Sequence, residues 1–202
     1  MSEAKAVLAR VAETLQTAEF GLRMLRSNDP TVRRTGLRNL VVFGRAVTNT
    51  LQGLRSISPD FNPWYQPWVE RMRTDQVMSY FYKLRSEILK QGKMNTGVSV
   101  HIQNLNLGTL MAVVPKPPNA KSFFIGDSLG GSGWEVVLPS GETQKFYVQI
   151  PQGVAGVELT VNLHLVDAPA ELKDIPAREL GEHYFGQLAT MCKEAEQRFN
   201  GS

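Results

Sequence analysis

The spacing of hydrophobic residues changes twice along the chain, from a helical period to strict alternation and back to a helical period. Apolar residues three and four apart predict a first helix from about Glu3 to Arg26 and a second from about Pro30 to Leu54. Asp29 is typical of a helix start, because its carboxylate can cap free amide groups while the following proline has none to satisfy. The short turn between two long helices predicts an antiparallel helical hairpin.

A third helix is predicted to carry the stretch around which the chain is organised, Tyr80–Gly92. The segment before it, Ser56–Pro67, is rich in proline and aromatic residues, so we expect a loop whose rings cover the core. The helix then begins near Trp68 and either breaks at Thr74 or continues to Gln91, where a glycine suited to end a helix follows.

From Thr96 onwards the apolar residues occur in short or alternating runs, which predict strands. The six predicted strands are residues 98–102, 110–114, 122–125, 134–138, 144–150 and 159–165. The fourth and fifth flank a Pro-Ser-Gly-Glu turn and are expected to form a hairpin. Together the strands predict one small antiparallel sheet.

A last helix, from about Pro176 to Phe199, is predicted to return to the helical part, because three helices alone cover their apolar faces poorly. The fold class expected from these elements is α+β. An antiparallel helical bundle at residues 1–92 is followed by a small antiparallel β-sheet insert at 93–170 and a carboxy-terminal helix at 171–202.

Composition narrows the class of protein. The 202 residues are 42% hydrophobic and 20% charged, which is typical of a globular protein. No apolar run approaches the ~20 residues that span a bilayer, and the first residues lack the apolar core of a secretory signal. A single cysteine, Cys192, fits a reducing compartment, so we expect a cytoplasmic protein without membrane association. Three scattered histidines predict neither a metal site nor a cofactor.

The net charge of +3 conceals an asymmetry between the two halves of the chain. Residues 1–92 carry 14 Lys and Arg against 8 Asp and Glu, a net +6, whereas residues 93–202 carry 8 against 11, a net −3. A basic excess on the helical part favours an acidic partner such as RNA or a protein. A solvated helical surface is the alternative explanation.

The sequence Leu-Arg-Ser-Glu-Ile-Leu-Lys-Gln-Gly at residues 84–92 resembles the motif of the HEPN superfamily. These are small helical domains in which an arginine, a polar residue, three further residues and a histidine lie on a late helix behind two long antiparallel helices. Arg85 and Ser86 match the motif, Gly92 falls where a glycine often follows in bacterial members, and Lys90 replaces the histidine. The resemblance covers residues 1–92 and extends to the last helix.

The HEPN resemblance implies metal-independent RNA cleavage at a dimer interface, with the arginine holding the phosphate and the histidine assisting the chemistry. A lysine in place of the histidine is a poor proton shuttle near neutral pH. The resemblance therefore implies a non-catalytic homodimer that binds RNA or a protein partner, in a bacterial defence or toxin–antitoxin setting.

The candidate phosphate- or RNA-binding residues are Arg85, Lys90, Arg38, Arg45 and Asn49. The last three lie near one polar face of the second helix, and the last two are one turn apart, so both can reach one phosphate or base edge. The alternative for Arg85 is an ion pair with Glu87 or another acid at a helix contact.

Three other functions are considered. One is a ribonuclease that uses Arg85 with Lys90 or His183. His183 is included because Arg178 and His183 also have the spacing of the motif. A self-assembling structural protein with subunit contacts through the β insert is another. The block Gly-Asp-Ser-Leu at residues 126–129 resembles the nucleophile block of GDSL esterases, but the Asp-x-x-His that supplies the base in that family does not follow Ser128.

Overall fold

The computed structural model describes residues 2–27, 29–103, 107–127, 131–150 and 158–200. Within these ranges the chain is an α+β fold of seven α-helices and five strands. The helices are α1 (Glu3–Met24), α2 (Pro30–Leu51), α3 (Phe61–Thr74), α4 (Gln76–Gln91), α5 (Leu107–Val113), α6 (Ala170–Lys173) and α7 (Ala177–Phe199). The strands are β1 (Thr96–Gln103), β2 (Ala120–Phe124), β3 (Gly133–Val137), β4 (Thr143–Tyr147) and β5 (Glu158–Leu165).

The predicted helical hairpin is formed by α1 and α2. Asp29 begins α2 as expected, since its carboxylate accepts hydrogen bonds from the backbone amides of Thr31 and Val32 at 2.7 and 3.2 Å. The two helices touch closely where Gly21 meets Gly36. A Cβ atom added at Gly21 would lie 2.7 Å from the carbonyl oxygen of Gly36, so the crossing requires the small residue.

The predicted loop at Ser56–Pro67 is wrong over most of its length. A 3₁₀ helix continues α2 as far as Ser56, and α3 already begins at Phe61 with two prolines inside its sequence. Pro63 lies in the first turn, where backbone amides have no partner within the helix, so its missing N–H costs nothing there. Pro67 is tolerated further inside, where the helix is anchored by the buried rings of Phe61, Tyr65 and Trp68.

The next helix is separate, so the break near Thr74 is the alternative that the structure adopts. Asp75 has an extended backbone and caps α4 by accepting a hydrogen bond from the amide of Met78 at 2.9 Å. Gly92 ends the helix with a φ of 65°, in the left-handed region that favours glycine.

The strands form two antiparallel sheets instead of the single sheet expected. The first pairs β1 with β5, with Thr96 opposite Leu165, and the second has the order β2-β3-β4. The predicted strand at residues 110–114 is instead part of α5 and the turn after it. Leu110 and Val114 are one helical turn apart and are buried beside Trp134, a spacing that a five-residue apolar run does not distinguish from a strand.

The last helix, α7, packs against α1, α2 and α4. Its buried face joins the main hydrophobic core, to which the first sheet also contributes Leu163 and Leu165. The second sheet approaches the bundle at the start of α2, where a Cβ atom on Gly131 would lie 3.2 Å from Cγ of Pro30. No helix within the described ranges is long and apolar enough to cross a membrane.

Candidate functional site

The groove between α2 and α4 brings together most of the candidate binding residues. Arg38 contacts Gly92 just after α4, whereas Arg45, two turns further along α2, contacts Tyr82 earlier on α4. The two helices therefore run antiparallel, and Arg38 and Arg45 both reach from α2 to α4 along the groove between them. We call this feature the α2–α4 groove.

Arg45 is held in place from two sides. Its guanidinium carbon lies 4.9 Å from the centroid of the Tyr82 ring, and its Nη1 donates a hydrogen bond to the Thr48 hydroxyl at 2.7 Å. Thr48 is buried, and its hydroxyl donates a hydrogen bond to the backbone carbonyl of Arg45 at 2.9 Å. The Tyr82 side chain remains 54% exposed, so the pair lies at the surface.

Arg85 lies on the same side of α4, one turn after Tyr82. Burial raises the pKa of the Tyr184 phenol, and the positive charges of Arg45 and Arg85 oppose that rise, so both guanidinium groups lie near this hydroxyl. The Tyr184 ring packs 4.7 Å from the ring of Phe81 and against the backbone of α2 at Gly44. Tyr184 of α7 therefore packs against both α2 and α4.

Within the described residues, neither Arg45 nor Arg85 is neutralised by an acid, because no carboxylate there forms an ion pair with either guanidinium group. The Nε atom of Arg85 is buried and has no hydrogen-bond partner in the same ranges. The alternative in which Arg85 pairs with Glu87 or another acid is therefore wrong for this part of the chain. Guanidinium groups without an acidic partner in the described ranges can bind an anion, and here one of them lies over an exposed aromatic ring.

Arg38 has a structural contact at the end of the groove. Its Nη2 donates a hydrogen bond to the carbonyl of Gly92 at 2.6 Å, and Arg34, one turn earlier, donates to the carbonyl of Met94 at 3.3 Å. Arg38 thus satisfies a carbonyl at the end of α4, and Arg34 satisfies one in the link between α4 and β1.

Lys90 and Asn49 are both exposed, but they lie differently with respect to the two arginines. Asn49 follows Arg45 by one helical turn and therefore shares its face of α2. Lys90 follows Arg85 by five residues, which rotates it by about 140° around α4. The structure does not bring Lys90 onto the same face as Arg85.

His183 is engaged elsewhere. Its Nε2 lies 2.6 Å from Oδ2 of Asp75, at the start of α4 and about 15 Å along that helix from Arg85. Burial tends to raise the pKa of Asp75, but hydrogen bonds from Met78 and His183 outweigh burial and hold this pKa below its usual range. Arg178, which completes the second motif-like spacing, pairs with Glu182 at 2.9 Å. Arg178 and His183 are therefore both engaged in contacts at the start of α7, away from Arg85.

The esterase-like block is only partly covered, because Ser128 and its neighbours at 129–130 lie outside the described residues. Asp127 accepts hydrogen bonds from the Tyr147 hydroxyl at 2.6 Å and from Nζ of Lys145 at 2.8 Å. In the described ranges, no group of three or more histidine, cysteine, aspartate or glutamate side chains is arranged to hold a metal ion.

Sequence reasoning missed Thr48 and Tyr82, the two residues that hold Arg45. Thr48 lies three residues after Arg45 on α2, so helical spacing was enough to pair these two, whereas the contact with Tyr82 depends on the packing of α2 against α4. No comparable signal pointed to Tyr184, which reaches the groove from a helix nearly a hundred residues further along the chain.

Comparison with curated proteins and with solved structures gave no match. One family model, described as bacteriophage lambda protein ea47, matches residues 24–187. This region contains the whole α2–α4 groove and both sheets. Because the match covers well over half of the sequence, the chain belongs to the family described as bacteriophage lambda protein ea47.

Proposed function

We propose that this chain is a HEPN-like protein that binds RNA through the α2–α4 groove without cleaving it. The observation that carries the proposal is the pair of guanidinium groups, Arg45 and Arg85, whose charges both act on the Tyr184 phenol and which have no carboxylate partner in the described ranges. Arginine binds phosphate with paired hydrogen bonds, and two such groups on neighbouring helices suit a phosphodiester backbone.

The exposed ring of Tyr82 supports a nucleic acid over another polyanion. One face of the ring is covered by Arg45, and the side chain is otherwise open to solvent. Aromatic side chains next to arginines stack on unpaired bases, with a gain of about 1–3 kcal/mol per base. Asn49 adds a polar group one turn from Arg45 that suits a base edge or a phosphate.

The proposal contains no cleavage step. Lys90 stands where the motif has its histidine and is turned away from Arg85 around α4. His183 is held by Asp75 at the far end of the same helix. A general base has to reach the proton that it removes, and neither side chain shares the face of α4 that carries Arg85.

The same resemblance extends the proposal to a cytoplasmic homodimer that acts in a bacterial defence or toxin–antitoxin setting. A protein partner with an acidic surface is the alternative occupant of the groove. The net +6 charge of residues 1–92 favours either kind of partner over an uncharged one.

The test is fluorescence anisotropy with a labelled single-stranded RNA over a range of salt concentrations. We expect Arg45→Met and Arg85→Met each to weaken binding about tenfold and to reduce the slope of log K against log salt by about one. Arg23→Met is the matched control, because Arg23 also lies over an exposed ring, that of Phe20, but on α1.

Wild-type protein that does not bind RNA would contradict the proposal, and so would an Arg23→Met variant that loses as much affinity as the groove variants. The length of the RNA, followed on a gel, tests the ribonuclease alternative at the same time. Cleavage that disappears in Arg85→Met would support that alternative. Sedimentation of the free protein at high concentration tests the homodimer, which a monomer would exclude.

A further inference from the structure

A pocket of about 430 Å³ lies against the ladder formed by β1 and β5. Gly97 pairs with His164 and Ser99 pairs with Asn162, so these four residues share one face of the two strands. Leu163, which lies between Asn162 and His164 on β5, points to the opposite face and is buried in the main core. One face of the ladder therefore lines the pocket, while the other face packs against the helical bundle.

Ser99 and His164 are joined by a short hydrogen bond inside this pocket. The Ser99 Oγ lies 2.7 Å from Nε2 of His164, within the range of nucleophile–base pairs. The other ring nitrogen, Nδ1, is buried and has no hydrogen-bond partner among the described residues. The nitrogen that contacts the serine is the one that accepts a serine proton in hydrolases that use a serine–histidine pair.

Two charged residues at the pocket wall limit what can bind there. Lys173 and Asp174 both line the pocket, and in the described part of the chain neither forms an ion pair. The lysine can stabilise negative charge that develops on a reacting oxygen. The aspartate keeps the wall close to neutral overall, which favours an uncharged or singly charged substrate over a polyanion.

We propose that Ser99 and His164 form a serine–histidine dyad that hydrolyses small carboxylic esters in this pocket. The Ser99 hydroxyl gives its proton to Nε2 while Oγ bonds to the carbonyl carbon, and the electron pair of the C=O bond moves onto the oxygen, where Lys173 stabilises it. Collapse of this intermediate expels the alcohol, which takes the proton from Nε2. A water molecule, deprotonated by the same nitrogen, then releases the carboxylic acid and restores both side chains.

The proposal implies slow chemistry. For Nε2 to accept the serine proton, the ring proton of neutral His164 has to be on Nδ1. No carboxylate holds that proton within the described ranges. We therefore expect turnover well below that of a serine–histidine–aspartate triad, in which the aspartate orients the ring and stabilises its charged form.

The test is covalent labelling of the full chain with a biotinylated fluorophosphonate, in which the serine oxygen displaces fluoride from phosphorus and His164 passes the serine proton to solvent. We expect one adduct per chain on the peptide that contains Ser99, no adduct on that peptide in Ser99→Ala, and labelling at least tenfold slower in His164→Gln. We also expect Lys173→Met to slow the hydrolysis of p-nitrophenyl acetate several-fold. Ser122→Ala is the matched control, because the Ser122 hydroxyl donates to Glu135 instead of a histidine.

Wild-type protein that takes up no label overturns the proposal. Labelling that persists in Ser99→Ala or keeps its rate in His164→Gln overturns it as well. Circular dichroism shows whether each variant folds. If a variant does not fold, the position of the adduct in the wild-type chain decides: an adduct on Ser99 supports the dyad, and an adduct on any other residue overturns it.

Discussion

The guanidinium group of Arg45 lies 4.9 Å from the ring centroid of Tyr82, and the ring belongs to a different helix. The contact joins α2 to α4 at the surface, where a cation–aromatic pair contributes about 0.5–1 kcal/mol. It also holds the Arg45 guanidinium against α4, although no acid pairs with this arginine among the described residues. The relationship yields the first prediction.

Tyr82→Ala is expected to lower the affinity for single-stranded RNA by about 1–3 kcal/mol, because both the stacking surface and the partner that orients Arg45 are lost. Tyr82→Phe is expected to retain most of the affinity, since the ring remains. Anisotropy at one fixed salt concentration measures both variants, and urea unfolding checks that this exposed position changes stability by less than about 0.5 kcal/mol. Equal affinity of the alanine and phenylalanine variants would contradict the stacking role.

Gly44→Ala is expected to destabilise the fold by about 1–3 kcal/mol, because the added methyl group would overlap the buried ring of Tyr184. Gly186→Ala on α7 is the matched control. Its added methyl group meets nothing within 4 Å, so the better helix propensity of alanine should stabilise that variant by up to about 1 kcal/mol. Urea unfolding of the two variants should give shifts of opposite sign, and shifts of the same sign would argue against this packing.

Arg38→Met is expected to lower the free energy of unfolding by about 1 kcal/mol, since the carbonyl of Gly92 loses its donor at the end of α4. Arg10→Met removes the same charge from an exposed position of α1 and should change stability by less than about 0.5 kcal/mol. Denaturant titrations at equal ionic strength compare the two. The structural role of Arg38 would be rejected if both variants were equally stable.

The contact between Asp75 and His183 predicts a dependence of stability on pH. The folded-state pKa of Asp75 is lowered, so its carboxylate stabilises the fold above the ordinary aspartate pKa, and that contribution disappears as the pH falls through the lowered value. Asp75→Asn can still cap α4 but loses the charge. We expect the variant to be less stable than wild type by up to about 1 kcal/mol near pH 6, because His183 is partly exposed.

Unfolding free energies measured from pH 6 down to pH 2.5 test this expectation. The difference between wild type and Asp75→Asn should shrink below pH of about 4. A difference that stays constant over this range, or one that grows towards acid pH, would show that the carboxylate charge does not stabilise the fold.

The parts of the fold that sequence reasoning predicted correctly are those that a long local pattern specifies. The helices α1, α2 and α7 each repeat an apolar face over several turns, and Asp29 and Gly92 mark helix ends through their own backbone preferences. The errors fall in short segments, where only a few residues determine the secondary structure. Pro63 is compatible with the first turn of a helix, and the run at 110–114 is too short for its period to be recognised.

The sites required information that local patterns do not contain. Arg45 and Arg85 are separate candidates in the sequence, but their nearness to one phenol depends on the packing of α2, α4 and α7 around Tyr184. Ser99 and His164 lie 65 residues apart, and only the register of β1 against β5 brings them into contact. Tertiary packing and strand register are long-range properties, so the local patterns of a single sequence do not specify them.

The ladder of β1 and β5 also bears on the order in which the chain folds. The segment between the end of α4 at Gln91 and the start of α7 at Ala177 has 85 residues. Docking of α7 onto the bundle therefore closes a loop of this length. Once Thr96 pairs with Leu165, the ladder acts as a stem, and only 4 residues on one side and 11 on the other remain to be closed. The shorter loop lowers the entropy cost of docking α7 by about 1.5 kcal/mol. We therefore expect the ladder to form before α7 docks, so that substitutions which weaken strand pairing slow refolding more than they speed unfolding.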